Sequence, residues 1–270
     1  MSHDRRVIVH ADPEQLAAAV AERFLSTVRS LLADRDDVHI VLTGGSVGIG
    51  VLRAIGARTD RAEIDWSRVH VWWGDERWVA RQHADRNAVQ AREALLDHVE
   101  LPSANIHEFP ASDDGIDLDA AASRYRDELL TAGGGRMPTF AVTFLGVGPD
   151  GHVASLFPER EGPRVTEATV IGVDDSPKPP PQRLSLTLPL LNSSERVWLV
   201  LAGADKASAL GLALAGASTA DVPVAGVTGT ERTLFFVDEA ASSEVPESLI
   251  TPPEYWTGAM DQPDWNPSAE

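Results

Sequence analysis

The chain holds 270 residues, 43% of them hydrophobic, with no cysteine and a formal net charge of −18. That length fits one large domain or two small ones and suffices to bury a core, and the lack of cysteine excludes a disulfide scaffold, thiolate metal sites and a cysteine nucleophile. The acidic balance argues against a general nucleic-acid or anionic-membrane surface, and no run approaches the roughly 20 apolar residues of a membrane span.

The opening MSHDRRVIVHADPEQ is charged and lacks the apolar core of a signal peptide, so a cytoplasmic location is expected. VIVH at 7–10 reads as a strand, and 13–33 as a helix with Leu16, Val20, Phe24 and Leu31 at helical spacing. VHIVLT (38–43) reads as a buried strand closed by GGS and followed by a helix through Arg53. VHVWW (69–73) is a strand, 86–97 a helix, 105–109 a loop and 117–131 a helix. Three glycines (133–135) then precede the strand TFAVTFLGV (139–147). RLSLTL (183–188) and RVWLVLA (196–202) are strands, 205–215 a helix and TLFFVD (233–238) the last strand.

Strands separated by helices imply right-handed crossovers. The expected fold is α/β, a mainly parallel sheet flanked by helices, with a β-rich stretch at 165–188 as an insertion or antiparallel patch. Residues 1–241 are expected to form a single domain, any smaller lobe lying within 150–190, before an acidic, Pro-rich tail at 242–270. Trp256 and Trp265 could dock that tail onto the body.

Two motifs mislead. Gly44-Gly45-Ser46-Val47-Gly48 fits the G-x-S-x-G nucleophile elbow, but it follows only the second strand and no HGGG-type oxyanion loop accompanies it. Gly146 to Gly151 fits G-x-G-x-x-G, but a dinucleotide loop must open a helix at once, and HVASLFPER with Pro158 and Pro163 opposes one. The eight histidines show no metal-binding spacing, so no metal is expected.

Five segments carry candidate chemistry. The turn Gly44-Gly45-Ser46 exposes backbone N–H groups at a helix start, which suits a single phosphate ester; a tight turn without ligand explains it equally well. Gly74-Asp75-Glu76-Arg77 ends a strand where open parallel sheets bind ligands, its charges either solvated or organised around a site. Asp150-Gly151-His152 also follows a strand. His152 suits general-base work, with Asp150 placed to orient the ring, although a lone histidine is more often structural. In Ser176-Pro177-Lys178-Pro179-Pro180-Pro181-Gln182-Arg183, prolines hold an extended backbone that presents Lys178; a stiff linker or a PxxP ligand are the plainer readings. Gly203-Ala204-Asp205-Lys206 brings Lys206 to a helix start as a second phosphate candidate. The only two lysines, Lys178 and Lys206, thus both fall at strand–loop positions rather than on helix faces.

LTGGS (42–46), WWGDERWV (72–79), FLGVGPDGHVASLFPE (144–159), SPKPPPQRLSLTLPLLN (176–192) and VLAGADKASAL (200–210) together resemble the 6-phosphogluconolactonase family, in order and spacing. Departures are Val47 where Thr is common, Glu159 where Gly is usual, and Asp85-Arg86-Asn87 where Ser-Asn is usual. The resemblance implies a three-layer α/β sandwich like that of sugar-phosphate isomerases and glucosamine-6-phosphate deaminase. It implies hydrolysis of 6-phospho-D-glucono-1,5-lactone to 6-phosphogluconate in the oxidative pentose phosphate pathway, without cofactor, metal or covalent intermediate. His152 would be the base, Asp150 its orienter and Arg77 the oxyanion partner. Gly44, Gly45, Ser46, Lys178, Arg183 and Lys206 would hold the phosphate, and Asp75 the sugar hydroxyls. A monomer or homodimer acting on a small sugar-phosphate lactone, with no nucleic-acid or membrane partner, is expected. The rivals are a deaminase or isomerase using Asp75 as base, a non-catalytic sugar-phosphate sensor, and a serine hydrolase; ASLFP after His152 and the SPKPPP segment favour the lactonase.

Overall fold

A computed structural model describes residues 4–251. Six strands, numbered in chain order, form one all-parallel sheet. Across it lie β1 (Asp4–His10), β9 (Arg232–Asp238), β8 (Arg196–Leu201), β5 (Phe140–Gly146), β2 (Val38–Leu42) and β3 (Val69–Trp73). All five residues of β2 are buried, as expected for a strand covered on both faces. The chain moves from β2 outward to β3, then returns to β5 on the other side of β2 and continues to β8 and β9. The order of strands therefore reverses between β2 and β5, and a reversal of that kind opens a crevice at their carboxyl ends.

Helix α1 (Pro13–Asp34) begins where Asp12 accepts the Gln15 N–H at 2.8 Å and Pro13 occupies the first turn. Its Leu16, Val20, Phe24 and Val28 are buried on one stripe facing the sheet. It packs beside α2 (Gly45–Ala57), and α3 (Asn87–Ala94) packs on α2 in turn. The helix expected at 86–97 thus ends early, with a 3-10 turn at Leu96–His98. α4 (Leu118–Ala132) starts at the Asp117 cap and inserts Tyr125 against Trp72. The Tyr125 hydroxyl accepts the Trp73 N–H and donates to the His107 carbonyl, so the buried phenol leaves no polar atom unpaired.

The β-rich middle is an antiparallel patch. β6 (Val170–Val173) and β7 (Arg183–Leu186) pair with β4 (Asp75–Arg77) in a three-stranded sheet, against which α4 packs. The charged Asp75–Arg77 segment is therefore a strand and not a loop. Gly74 joins the two sheets, its N–H donating to Leu42 O at 3.0 Å and its carbonyl accepting from Leu186 N at 2.8 Å. The strand expected to reach residue 188 stops at Leu186, because Pro189 sits in the first turn of the short helix α5 (Leu188–Leu191). α6 (Ala207–Leu214) follows a 3-10 turn, Ala204–Lys206. Part of the expected acidic tail returns to edge strand β1, where Ile250 pairs with Val7 and Thr251 N–H donates to Val7 O. Trp256 and Trp265 lie outside the described residues. No described helix is long and apolar enough to cross a membrane.

On the β2–β3 side, His39, His70 and His107 form a ladder of rings against Trp72. Trp72 Nε1–H donates to His39 Nδ1 at 3.0 Å, and His107 Nδ1 meets Glu128 Oε1 at 2.8 Å. Burial, then the neighbouring His70, lower the His39 pKa to about 4, against the pull of Asp37. Below about pH 6.5 the unfolded chain takes up this proton before the folded one does. Stability is therefore lost as pH falls toward 4 and levels off below. Unfolding free energies from urea titrations at pH 7.5 and pH 5 are expected to differ by about 1–3 kcal/mol in the wild type, and less in His39→Gln; an equal pH dependence in the two proteins would remove His39 as the cause.

Candidate active site

Because β8, β5, β2 and β3 run parallel and adjacent, the loops that leave them meet at one edge. There they surround a cavity of about 230 Å³ lined by Thr43–Gly48, Asp75, Arg77, Asn87, Gly146–Pro149, His152, Ala154, Lys178, Arg183, Val200–Ala202 and Lys206. It sits at the strand-order reversal and is smaller than the roughly 300–1,000 Å³ of drug-sized pockets, a scale for one small metabolite. Nine of the ten expected site residues line it; the tenth, Asp150, supports His152 from the side.

The Gly44–Ser46 turn follows β2. Gly45 has φ +79°, a conformation that side-chain-bearing residues rarely adopt. Whereas α1 and α4 begin with Asp caps, α2 begins at Gly44 with no side-chain cap. The N–H groups of its first turn thus remain for a ligand at the positive end of the helix dipole. Ser46 is exposed on that turn, and no described histidine hydrogen-bonds it, so the elbow reading finds no base.

β4 places its charges by alternation. Asp75 and Arg77 border the cavity, while Glu76 between them is 1% exposed. The Glu76 carboxylate accepts the N–H groups of Arg77 and Asn87 at 2.8 Å and Ala88 at 2.9 Å, and lies 3.8 Å from fully buried Arg86. Burial raises its pKa, against the Arg86 charge and these N–H bonds. Arg86 in turn donates to the carbonyls of Phe109 and Pro110. Asp75 is held by Ser155 Oγ–H at 2.7 Å and by Asn87 Nδ2, and Ser155 N–H donates to Ser185 Oγ. Glu76, Asn87 and Ser155 were absent from the sequence-based site. The only signals available were the DER string, Asn87 beside the Asp85-Arg86 departure, and Ser155 in the string after His152. None reveals a contact spanning 80 residues.

After β5 no helix opens, which removes the dinucleotide reading. Instead Gly148 N–H donates to His152 O, Gly151 takes φ +80°, and short bridges link Val147, Val153 and Leu156. The loop sets His152 Nδ1 2.6 Å from Asp150 Oδ1 and leaves Nε2 without a partner among the described residues. Partial burial opposes charge on Asp150, but the hydrogen bond and charge of His152, with Lys178, outweigh it, and the carboxyl lies well below the usual range. Asp150 therefore stays ionised, and Nδ1 keeps the ring's proton. Glu159 adopts φ +59°, a conformation that favours glycine.

The Pro-rich segment is a closed loop and not an extended run. Ser176 N–H donates to Pro181 O, and the Arg183 guanidinium donates to the carbonyls of Lys178, Pro179 and Pro180. Arg183 spends most of its fork on that backbone, opposite Arg77 in the register of β4 and β7. Lys178 Nζ lies 3.4 Å from Asp150 Oδ1 and 3.3 Å from His152 Nδ1. Lys206 borders the cavity while paired with Asp205 at 2.8 Å. Among the described residues no group of three or more His, Asp or Glu side chains is arranged to hold a metal.

Residues 11–236 match the family described as glucosamine-6-phosphate isomerases/6-phosphogluconolactonase. A 6-phosphogluconolactonase of Streptomyces coelicolor is 48% identical over 258 residues, covering 93% of this chain and 99% of that protein. One of Mycobacterium tuberculosis is 45% identical over 244 residues, covering 88% and 97%. The crystal structure of 6-phosphogluconolactonase from Thermotoga maritima superimposes with a TM-score of 0.77 at 28% identity, over 87% of this chain and all of that one.

A Cβ added at Gly148 would fall 1.9 Å from His152 Nδ1 and 2.4 Å from Asp150 Oδ1. Gly148→Ala is therefore expected to abolish the low-field N–H proton signal of the His152–Asp150 hydrogen bond while the protein stays folded. Survival of that signal would count against the close packing of this loop.

Proposed function

The chain belongs to the family of glucosamine-6-phosphate isomerases and 6-phosphogluconolactonases, and from this we propose that it hydrolyses 6-phospho-D-glucono-1,5-lactone to 6-phospho-D-gluconate. The observation that carries the reading is the His152–Asp150 pair with a free Nε2, at the mouth of a cavity that also holds an uncapped helix start and four cations. A lactone needs a base for water and a partner for the carbonyl oxygen; a phosphate ester needs the rest.

In the proposed reaction His152 Nε2 takes a proton from water as the water oxygen bonds to C1. The carbonyl π electrons move onto oxygen, where the Arg77 guanidinium stabilises the charge. As the C1–ring oxygen bond breaks, His152 returns the proton to the departing ring oxygen, and the acid formed then ionises. Asp150 stabilises the imidazolium between the two transfers. The turn Gly44-Gly45-Ser46 with Lys206 and the remaining reach of Arg183 holds the phosphate, which places C1 for attack. Lys178, grouped with the phosphate cations on sequence grounds, reaches the Asp150–His152 pair, where its charge helps keep Asp150 ionised. Asp75 accepts from sugar hydroxyls. These steps use side chains and backbone alone, without metal or covalent intermediate.

Freshly made lactone, assayed against a no-enzyme blank because it also hydrolyses spontaneously, tests the reading. His152→Ala is expected to lower kcat by roughly 10²–10⁴ with KM little changed; wild-type turnover in that variant would remove the base. Lys206→Met is expected mainly to raise KM, and an unchanged KM would take Lys206 out of the phosphate site. Ammonia release from glucosamine 6-phosphate, in place of lactone hydrolysis, would overturn the reading itself.

A further inference from the structure

We propose that Asn87 is a positioning residue that fixes the span between the phosphate turn and the carboxylate that reads the sugar; the inference rests on the lactone reading above. Asn87 is the first residue of α3, 1% exposed, and borders the cavity. Its Nδ2 donates to Asp75 O at 2.8 Å and lies 3.4 Å from Asp75 Oδ1. With the amide nitrogen committed there, Oδ1 is directed at Gly44, and a Cβ built on Gly44 would fall 1.9 Å from it. That oxygen is buried and has no hydrogen-bond partner. Burying an unpaired carbonyl is unfavourable, so packing alone is a poor reason for an amide here.

The backbone of Asn87 is equally committed. Glu76 accepts its N–H, that of Ala88 and that of Arg77, tying the start of α3 to the strand that carries Asp75 and Arg77. The side chain is thus a strut between two walls, with Gly44 of the phosphate turn at one end and Asp75 at the other. A sugar phosphate is gripped at both walls at once, so the distance between them decides where C1 lies relative to His152. Gly44 is required for the same reason, since any side chain there would enter the space of the strut.

The strut is tested with two probes that differ in reach. Inorganic phosphate occupies only the turn; 6-phosphogluconate spans both walls. In Asn87→Ala, and in Asn87→Ser as a smaller polar replacement, calorimetry should give a Kd for 6-phosphogluconate weakened by about 10- to 100-fold, with KM for the lactone rising alongside. The Kd for inorganic phosphate should change by less than about threefold, within the spread of ordinary surface substitutions. A second measurement uses Gly44→Ala, which is expected to weaken 6-phosphogluconate binding strongly on its own. In the double variant with Asn87→Ala it should add little further loss, because the clash is gone. Parallel weakening of both probes would reduce Asn87 to a fold-maintaining residue, and so would additive losses in the double variant. Unchanged 6-phosphogluconate binding would remove its role altogether. Wild-type protein that fails to hydrolyse the lactone sinks the reading of function, whereas an active wild type with an unchanged ratio of the two Kd values sinks the strut alone.

Discussion

The architecture depends on the reversal of strand order between β2 and β5. In a parallel sheet every strand delivers its following loop to the same edge, and at a reversal the two flanking loops diverge to opposite faces. The crevice so formed is walled by the Gly44–Ser46 turn on one side and by the His152 loop on the other. β3 and β8 add the next loops outward, so groups more than 150 residues apart in the chain, Gly44 and Lys206, border one cavity.

The second sheet makes this crevice chemically specific. Through the single residue Gly74 the chain passes from β3 into β4, and β4 then borrows β7 as its partner. Alternation sends Asp75 and Arg77 toward the cavity and Glu76 away from it. A carboxylate in Glu76's position survives burial only because three backbone N–H groups and Arg86 surround it. Its value to the site is geometric, because it locks the strand bearing two charged side chains to the helix bearing Asn87. Asp75 is then reached from a third direction by Ser155, in the loop that also carries His152. The start of α3 and the loop that carries His152 are therefore coupled through hydrogen bonds centred on one strand of three residues.

Charge is arranged on two scales. The chain is acidic overall, which disfavours extended polyanions, yet the cavity gathers Arg77, Lys178, Arg183 and Lys206 around two carboxylates. Screening limits the reach of the acidic surface to about a Debye length, roughly 8 Å at physiological salt, while a half-enclosed pocket is screened less. A local cluster of cations inside an acidic molecule suits a small anionic metabolite of the kind proposed above.

Strand and helix identities were largely legible in the amino-acid sequence, because period and punctuation are local properties. VHIVLT, VHVWW and TFAVTFLGV alternate with capped amphipathic segments, and Asp12 and Asp117 announce the helices they start. Most of the cavity's residues were legible as well, since glycine turns and charged groups at strand ends are local signals. What stayed hidden were pairings between distant segments. The strand nature of Asp75–Arg77 depends on a partner at 183–186; the burial of Glu76 depends on the amides of residues 87 and 88. The place of Lys178 beside Asp150 depends on how Arg183 folds the Pro-rich loop. The sequence by itself determined the parallel α/β class and the glycine-rich and charged segments that end its strands, because those follow from neighbours along the chain. Only the tertiary structure decided which of them touch, because a contact's geometry is fixed by the strand order that brings remote loops to one edge.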